Sequence, residues 1–307
     1  MFTKDYSSLT ARLRELLLER TKWKWDLDHQ HAFETLKEQL ENTCLLNYFD
    51  PQLNTEVICD ASPVGVGAVL AQYDQTTQEK KVVAYASRSL TPTEQRYGQI
   101  EREALAILFG CTKFRLYLLG KQFDLYTDHK PLRVMFNNPR SQAPFRVERI
   151  RLKLQGFEFT VKYINGSKNP TDYMSRHSLP ATKDDLKHSK ELEAHVNMVL
   201  NTVDELVVSK DNIKDAIAED EEARNLKMSI LFNKLNDTKY PSILKLKKVF
   251  NELSVVDGLI LKGSRLFIPT KLRKRILIAS HDGHQGIVKT KQLLRSKVWY
   301  PGMDKDT

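Results

Sequence analysis

The sequence predicts an α/β protein in which a five-stranded mixed sheet is flanked by helices. Five short segments have the apolar or alternating pattern of strands, and segments with apolar residues at three- and four-residue steps separate the later ones. The resulting order is three strands, a helix, a strand, helices, a strand and a helix, which is a mixed α/β layout. At 307 residues the chain has room for about two domains.

The five predicted strands precede the middle of the chain or lie close to it. They cover residues 55–60, 65–73, 81–87, 122–127 and 158–164. A tight Ser-Pro-Val-Gly turn separates the first two. The first strand ends in Asp60, and the fourth is followed directly by Asp128.

The longest predicted helix covers residues 92–118. Thr91-Pro-Thr-Glu gives it a capping-box pattern with proline at the first helical position, and Gly120 follows its end. Shorter helices are predicted over residues 130–136 and 145–154, and another begins within residues 169–175. The N-terminal segment is also predicted to be helical, over residues 6–20 and again around Phe33 and Leu36.

The second half of the chain changes character twice. Residues 177–240 hold 9 Lys/Arg against 13 Asp/Glu and few aromatic residues, which predicts an acidic helical connector. Residues 241–307 hold 14 Lys/Arg against 5 Asp/Glu, a difference equal to the net charge of +9 of the whole chain. A hairpin-like element around Asp257 and Gly258 and a basic helix are predicted there. Such a basic segment favours a polyanionic partner, most often nucleic acid.

Four acidic residues occupy segments that could each bring a carboxylate to one metal site. They are Asp60, Glu103, Asp128 and Asp172: two follow strands, one lies on the long helix and one opens the last helix. Magnesium is a hard cation that prefers oxygen ligands. Two such ions can clamp the attacking and leaving oxygens of a phosphodiester displacement. The pattern therefore indicates nucleic-acid hydrolysis.

Each of these residues also has a plainer interpretation. A turn at the end of a strand accounts for Asp60 or Asp128 taken alone, and Asp172 suits the N-terminus of a helix because of the helix dipole. Glu103 could be a solvated helical residue. Glu101 lies two residues earlier on a different face of the same helix, and periodicity does not decide between the two glutamates.

Cysteine usage and hydropathy predict an intracellular protein. Cys44, Cys59 and Cys111 have no paired spacing, and the last two lie in apolar runs, so buried reduced thiols are expected. No apolar run is long enough to predict a membrane span, and the N-terminus does not have the pattern of a signal peptide.

Several strings resemble the ribonuclease H domain of a gypsy-type LTR retrotransposon Pol polyprotein, in matching order and spacing. They are Cys-Asp-Ala-Ser-Pro-Val-Gly-Val-Gly-Ala at residues 59–68, Val-Ala-Tyr-Ala-Ser-Arg-Ser-Leu-Thr-Pro-Thr-Glu at 83–94, Glu-Arg-Glu-Ala-Leu-Ala-Ile at 101–107, Tyr-Thr-Asp-His-Lys-Pro-Leu at 126–132 and Asp-Tyr-Met-Ser-Arg at 172–176. Residues 6–50 resemble the end of the reverse transcriptase of the same polyprotein. Residues 241–307 resemble the start of its integrase.

The resemblance implies four parts. These are a reverse transcriptase end at 1–51, a ribonuclease H-like domain at 52–178, an acidic connector at 179–240, and a small, incomplete integrase zinc-binding head at 241–307. The expected location is cytoplasmic, with potential access to the nucleus. No Tyr-x-Asp-Asp polymerase motif is present, so DNA synthesis is not expected of this chain.

The resemblance also implies an activity, which is hydrolysis of the RNA strand of an RNA–DNA hybrid with two Mg²⁺ (or Mn²⁺) ions. All four acidic residues become expected metal ligands, and the string Glu-Ala-Leu-Ala-Ile selects Glu103 over Glu101. The family usually has alanine where this chain has Thr171 and Tyr173. The loop before Asp172 lacks the histidine found in some relatives, so no histidine proton shuttle is predicted.

Two further groups of residues are candidates for binding. The basic run of Arg146, Arg149, Arg151 and Lys153 is either an exposed helix face or a contact for nucleic-acid phosphates. His281 and His284 resemble the histidine half of the integrase zinc site, whose cysteine pair lies downstream in the family. Because a structural zinc site normally has four ligands, zinc binding is expected only with those cysteines.

An alternative is a catalytically inactive or domesticated remnant that binds nucleic acid or a partner without cleavage. The lack of a polymerase motif and of zinc cysteines favours it, and the four acidic residues disfavour it. The expected partners in either case are an RNA–DNA hybrid, the backbones of DNA or RNA, and other segments of the Pol polyprotein.

Overall fold

The computed structural model describes most of the chain. Described are residues 23–43, 46–74, 79–201, 208–233, 235, 240–280 and 287–306, together with Leu13 and Leu16. The helix predicted over residues 6–20 therefore falls, apart from two residues, outside the described part, as do His281 and His284.

Strands form two sheets in the described residues. The strands are β1 Asn54–Ala61, β2 Gly65–Tyr73, β3 Lys80–Ser89, β4 Gln122–Thr127, β5 Glu158–Tyr163, β6 Leu253–Val256, β7 Leu259–Lys262, β8 Arg265–Phe267 and β9 Val298–Trp299. The first sheet has the order β3-β2-β1-β4-β5 and the second β6-β7-β8-β9. In the first sheet β1 pairs antiparallel with β2 and parallel with β4, and β4 pairs parallel with β5. The predicted five-stranded mixed sheet is thus confirmed.

Helices lie around both sheets. They are α1 Leu27–Thr43, α2 Gln99–Lys113, α3 Arg115–Leu118, α4 Lys130–Asn137, α5 Phe145–Lys153, α6 Asp172–Arg176, α7 Lys183–Asn201, α8 Lys210–Glu219, α9 Glu221–Phe232, α10 Pro241–Leu244, α11 Thr270–Ser280, α12 Ile287–Lys297 and α13 Met303–Asp306. No helix in the described ranges is both long and apolar enough to cross a membrane.

The apolar side chains of the described residues form two cores. The first joins the five-stranded sheet to α2, α4 and α5, and the second joins the smaller sheet to α8, α9 and α11. Helix α7 contributes Leu192 to the first core and Val196 to the second. Helices α8 and α9 belong to the segment predicted as a connector, and their residues Ile213 and Leu226 are buried in the second core. The two cores therefore follow each other along the chain, with α7 at their boundary.

The long helix begins later than the sequence predicts. The capping box does form, because the Thr91 amide donates to Glu94 Oε2 at 2.9 Å and the Glu94 amide donates to Thr91 Oγ1 at 3.2 Å. It caps only a 3₁₀ turn, and α2 starts at Gln99. Glu94 is fully buried and accepts two hydrogen bonds from Arg88, which ties this turn to β3. Tyr97 and Gly98 then have an extended backbone and connect this turn to the start of α2.

Two glycines in β2 allow α6 to approach the sheet closely. A Cβ atom on Gly65 would lie 2.4 Å from the carbonyl oxygen of Ser175. A Cβ atom on Gly67 would lie 3.2 Å from the amide nitrogen of Ser175. Any larger residue at Gly65 would therefore displace the segment that carries α6. This close packing brings the residues of α6 next to the end of β1.

Candidate active site

Three carboxylates converge at one edge of the five-stranded sheet. Asp60 is the seventh residue of β1, and Asp128 follows the last residue of β4. Because β1 and β4 are parallel neighbours, their carboxyl ends lie at the same edge. Helix α2 packs against β1 and β2 and adds Glu103 from one side. One carboxylate oxygen from each of Asp60, Glu103 and Asp128 lies within 4.8 Å of the other two.

The sheet and α2 hold two of these carboxylates rigidly. Asp60 is buried, and its oxygens accept hydrogen bonds from Ser175 Oγ at 2.6 Å and Asn169 Nδ2 at 3.2 Å. Glu103 is also buried, and its Oε1 accepts a hydrogen bond from Gln99 Nε2 at 2.8 Å. Its Oε2 is buried without a hydrogen-bond partner among the described residues. A buried carboxylate oxygen that lacks a donor fits a bound cation.

The negative charges of the three clustered carboxylates destabilise the fold when no cation is bound. Burial raises the pKa of Asp60 to about 6, and the nearby charges of Asp128 and Asp172 act in the same direction. Burial, followed by the charges of Asp60 and Asp128, raises the pKa of Glu103 well above its usual value. Burial also raises the pKa of Asp128. Three acidic groups with raised pKa values in one place are more typical of a functional site than of a structural ion pair.

This electrostatic cost predicts how the stability of the metal-free protein depends on pH. Because the pKa of Asp60 rises from 3.8 to about 6 on folding, the folded chain holds more protons than the unfolded chain between those values. The free energy of unfolding should therefore fall as pH rises through this window, by about 3 kcal/mol from Asp60 alone. We expect Asp60→Asn to raise the melting temperature at pH 7 without metal, and to have little effect at pH 4. Calorimetry at both pH values measures this, and a lower melting temperature at pH 7 would contradict it.

Asp172 does not belong to this group of three. It opens α6, its side chain is about half exposed, and Oδ1 accepts hydrogen bonds from Arg176 Nε at 3.0 Å and Nη2 at 2.9 Å. Its charge nevertheless raises the pKa of both Asp60 and Asp128, so it lies near the cluster. The structure thus brings three of the four predicted acidic residues together and leaves the fourth beside them, paired with an arginine.

The two glutamates of α2 have different surroundings. Glu103 faces the aspartates, whereas Glu101 accepts a hydrogen bond from the amide of Gly98 at 3.0 Å and pairs with Arg146 Nη1 at 3.2 Å. Both glutamates are buried, which explains why apolar periodicity could not separate them. Glu101 is a capping and ion-pairing residue in this structure.

The basic run on α5 is only partly available to a ligand. Arg146 is 3% exposed, and its guanidinium contacts Glu101, Glu193 and the ring of Tyr97, so the phosphate contact predicted for it does not agree with the structure. The reason is that this face of α5 packs against α2 and α7.

The other three residues of the run also have contacts or burial within the chain. Arg151 donates to the carbonyl oxygens of Ser141 and Pro139, and Lys153 pairs with Glu191 at 3.2 Å. Arg149 is partly buried, and its Nε has no hydrogen-bond partner in the described part of the chain. A phosphate contact by Arg149, Arg151 or Lys153 stays a prediction.

Two polar residues that contact a carboxylate of the cluster were not identified from the sequence, and neither was His129, which follows Asp128 along the chain. Asn169 and Ser175 contact Asp60 directly, and the side chain of His129 is buried. Burial lowers the pKa of His129 to about 4, so this side chain is neutral at pH 7. Ser175 lies within the string at residues 172–176 that carries part of the resemblance, but nothing in its spacing indicates a contact with β1.

Two parts of the chain match known domain families. Residues 25–125 match the RNase H-like domain found in reverse transcriptase, and residues 268–307 match the integrase zinc binding domain. The first match covers the strands and the helix that supply Asp60 and Glu103. The fold and these matches define an RNase H-like domain of the reverse-transcriptase type, followed along the chain by an integrase zinc-binding domain.

Individual relatives extend this assignment. The retrovirus-related Pol polyprotein from transposon 412 of Drosophila melanogaster is 37% identical over 186 residues, which are 60% of this chain and 15% of the relative. The transposon Tf2-3 polyprotein of Schizosaccharomyces pombe is 28% identical over 314 residues, which cover 97% of this chain and 22% of the relative. Both relatives are transposon polyproteins, and this chain spans about a fifth or less of the length of each.

Among solved structures, a foamy viral protease–reverse transcriptase in complex with double-stranded DNA is 18% identical. The match covers 55% of this chain and 32% of that chain, with a TM-score of 0.41.

Proposed function

We propose that the RNase H-like domain hydrolyses the RNA strand of an RNA–DNA hybrid with divalent metal ions held by Asp60, Glu103 and Asp128. The observation that carries the proposal is the convergence of three carboxylate oxygens within 4.8 Å at the carboxyl ends of two parallel strands. A cluster of this kind, with no basic residue among its three members, suits hard divalent cations such as Mg²⁺ or Mn²⁺.

The residues of the chain have separate tasks in this proposal. Bound metal ions would lower the pKa of the attacking water and stabilise the leaving oxygen. Asp60 and Glu103 are buried on rigid elements and would hold their oxygens in fixed positions. Asp128 is partly exposed and would face the substrate side of the site. Contacts to the sugar and phosphate groups of the hybrid would then give recognition by duplex shape and not by base sequence.

Asp172 is proposed as a fourth ligand that joins the site when it leaves Arg176. The pair is exposed, and an exposed ion pair of this kind contributes little to stability, so its separation costs little. The released guanidinium of Arg176 would lie close to the cluster, where a phosphate could accept its hydrogen bonds. Replacement of Asp172 should therefore weaken metal binding less than replacement of Asp60 does. The effect of replacing Asp172 should be larger with substrate present than without it.

The basic segment at residues 241–307 is proposed to contact nucleic-acid backbones through its lysines and arginines. Lys271, Lys274 and Arg275 are exposed on α11. Zinc binding by His281 and His284 is also a proposal, and it would need further ligands.

A cleavage assay tests the proposed function. The 307-residue chain is incubated with a labelled RNA–DNA hybrid in Mg²⁺, in Mn²⁺ or with a chelator, and the same RNA as a single strand or an RNA duplex serves as control. We expect cleavage of the RNA strand of the hybrid only, dependent on metal and abolished by chelator. Binding of the hybrid without cleavage under all conditions would favour the inactive remnant instead.

A further inference from the structure

Both oxygens of Asp60 are held by donors from one short segment of the chain. Ser175 Oγ lies 2.6 Å from Asp60 Oδ2, and Asn169 Nδ2 lies 3.2 Å from Asp60 Oδ1. Ser175 is fully buried and Asn169 is 8% exposed. These are long-range contacts, because the donors lie more than a hundred residues after Asp60.

The amide of Asn169 has a fixed orientation. Its Oδ1 accepts a hydrogen bond from the Thr171 backbone amide at 3.1 Å and a second one from Thr171 Oγ1. A reversed amide would place its NH₂ group against the backbone N–H of Thr171, where two donors would meet. Thr171 is fully buried, so it has no alternative partner in solvent. Thr171 therefore directs the NH₂ group of Asn169 toward Asp60.

The backbone of Ser175 is also fixed. Ser62 Oγ donates to the carbonyl oxygen of Ser175 at 2.7 Å, and Gly65 and Gly67 leave the space that Ser175 occupies against β2. The turn between β1 and β2 thus holds Ser175, and Ser175 in turn holds Asp60. Asn169 and Ser175, which donate hydrogen bonds to Asp60, are therefore held in place by contacts within the chain and need no bound ligand.

We propose that Asn169 and Ser175 are positioning residues that hold the Asp60 carboxylate ready for the metal ions, with Thr171 orienting Asn169. The proposal rests on the proposed function, because it assumes that Asp60 is a metal ligand. Partners that hydrogen-bond to a ligating carboxylate set its orientation, and their loss typically weakens metal affinity or activity by about 10- to 100-fold. This arrangement also gives the segment around α6 a role that does not depend on Asp172.

A direct binding measurement tests the proposal without any need for catalysis. The full chain is titrated with Mn²⁺, and free Mn²⁺ is followed by electron paramagnetic resonance. We expect Ser175→Ala and Asn169→Ala each to weaken binding by about 10-fold or more, and Thr171→Val to weaken it by a few fold. Ser178→Ala is the matched control, because Ser178 lies in the same segment and contacts Ser89 instead of a carboxylate. Circular dichroism establishes that each variant is folded.

Asp60→Asn distinguishes failure of the positioning role from failure of the metal site. If Asp60→Asn weakens Mn²⁺ binding but the folded Ser175, Asn169 and Thr171 variants bind like the unmodified chain, the positioning proposal is wrong and the proposed function stands. If Asp60→Asn also leaves Mn²⁺ binding unchanged, the metal site itself is wrong. Should Ser175→Ala and Asn169→Ala fail to fold, Thr171→Val decides, because it keeps the shape of the side chain and removes only the hydroxyl group.

Discussion

Replacing Glu103 with glutamine is expected to reduce the rate of hybrid cleavage by about three orders of magnitude. Glutamine has almost the same shape, and its oxygen can still accept the hydrogen bond from Gln99. It lacks the negative charge that the cluster offers to a divalent cation, and loss of several kcal/mol of charge stabilisation corresponds to a loss of this size. Single-turnover cleavage of a labelled hybrid in saturating Mg²⁺ measures the effect.

A matched control for Glu103→Gln is Asp124→Asn. Asp124 is the third of the six residues of β4, the strand that leads to Asp128, and its partly exposed carboxylate pairs with Lys162. Its replacement should leave the cleavage rate within about twofold of the unmodified chain, since exposed ion pairs contribute little. If Glu103→Gln cleaved the hybrid as fast as this control, Glu103 would not be a ligand of the catalytic metal.

The largest effect on stability is expected from Arg146→Met. Arg146 Nη1 lies 3.2 Å from Glu101 Oε1, its Nε lies 3.1 Å from Glu193 Oε1, and its guanidinium donates to the carbonyl oxygen of Val255. Methionine fills a similar space but leaves the buried charge of Glu101 without its cationic partner. Breaking a buried pair in this way costs about 3–5 kcal/mol. Urea unfolding at pH 7 gives the free energy of unfolding directly.

Arg133→Met, an exposed arginine on α4, provides the comparison and should change the free energy of unfolding by no more than about 0.5 kcal/mol. The double variant Arg146→Met with Glu101→Gln should recover part of the loss, because it removes the uncompensated charge. The opposite result would support the alternative from the sequence analysis, in which Arg146 contacts nucleic-acid phosphates. In that case Arg146→Met would leave stability unchanged and weaken hybrid binding, with a shallower dependence of affinity on salt.

The sequence predicted the sheet and its aspartates because both depend on local patterns. An apolar strand that ends in an acidic residue places that residue at a sheet edge, and this holds for Asp60 and Asp128 alike. The start of α2 was misplaced because Glu94 forms a buried ion pair with Arg88, and this contact confines the predicted cap to a single turn. A capping pattern marks a turn but does not determine how far the helix extends.

The surroundings of the site could not be predicted because they depend on distant parts of the chain. Asn169 reaches Asp60 across 109 residues, and Arg146 reaches Glu101 across 45. An arginine-rich helix shows charge but not which of its faces packs against the protein. Single-sequence patterns also could not show that Asp172 would pair with Arg176 in place of joining the other three carboxylates.

Asp60, Glu103 and Asp128 are proposed to form a binding site for divalent cations. The most direct test is anomalous diffraction from crystals of the chain soaked in Mn²⁺, at a concentration that supports hybrid cleavage. We expect an anomalous peak in contact with all three carboxylates, including the Oε2 of Glu103 that has no hydrogen-bond partner among the described residues. A map with no peak among these three residues, while the same crystals show Mn²⁺ bound elsewhere, would show that they do not form the metal site.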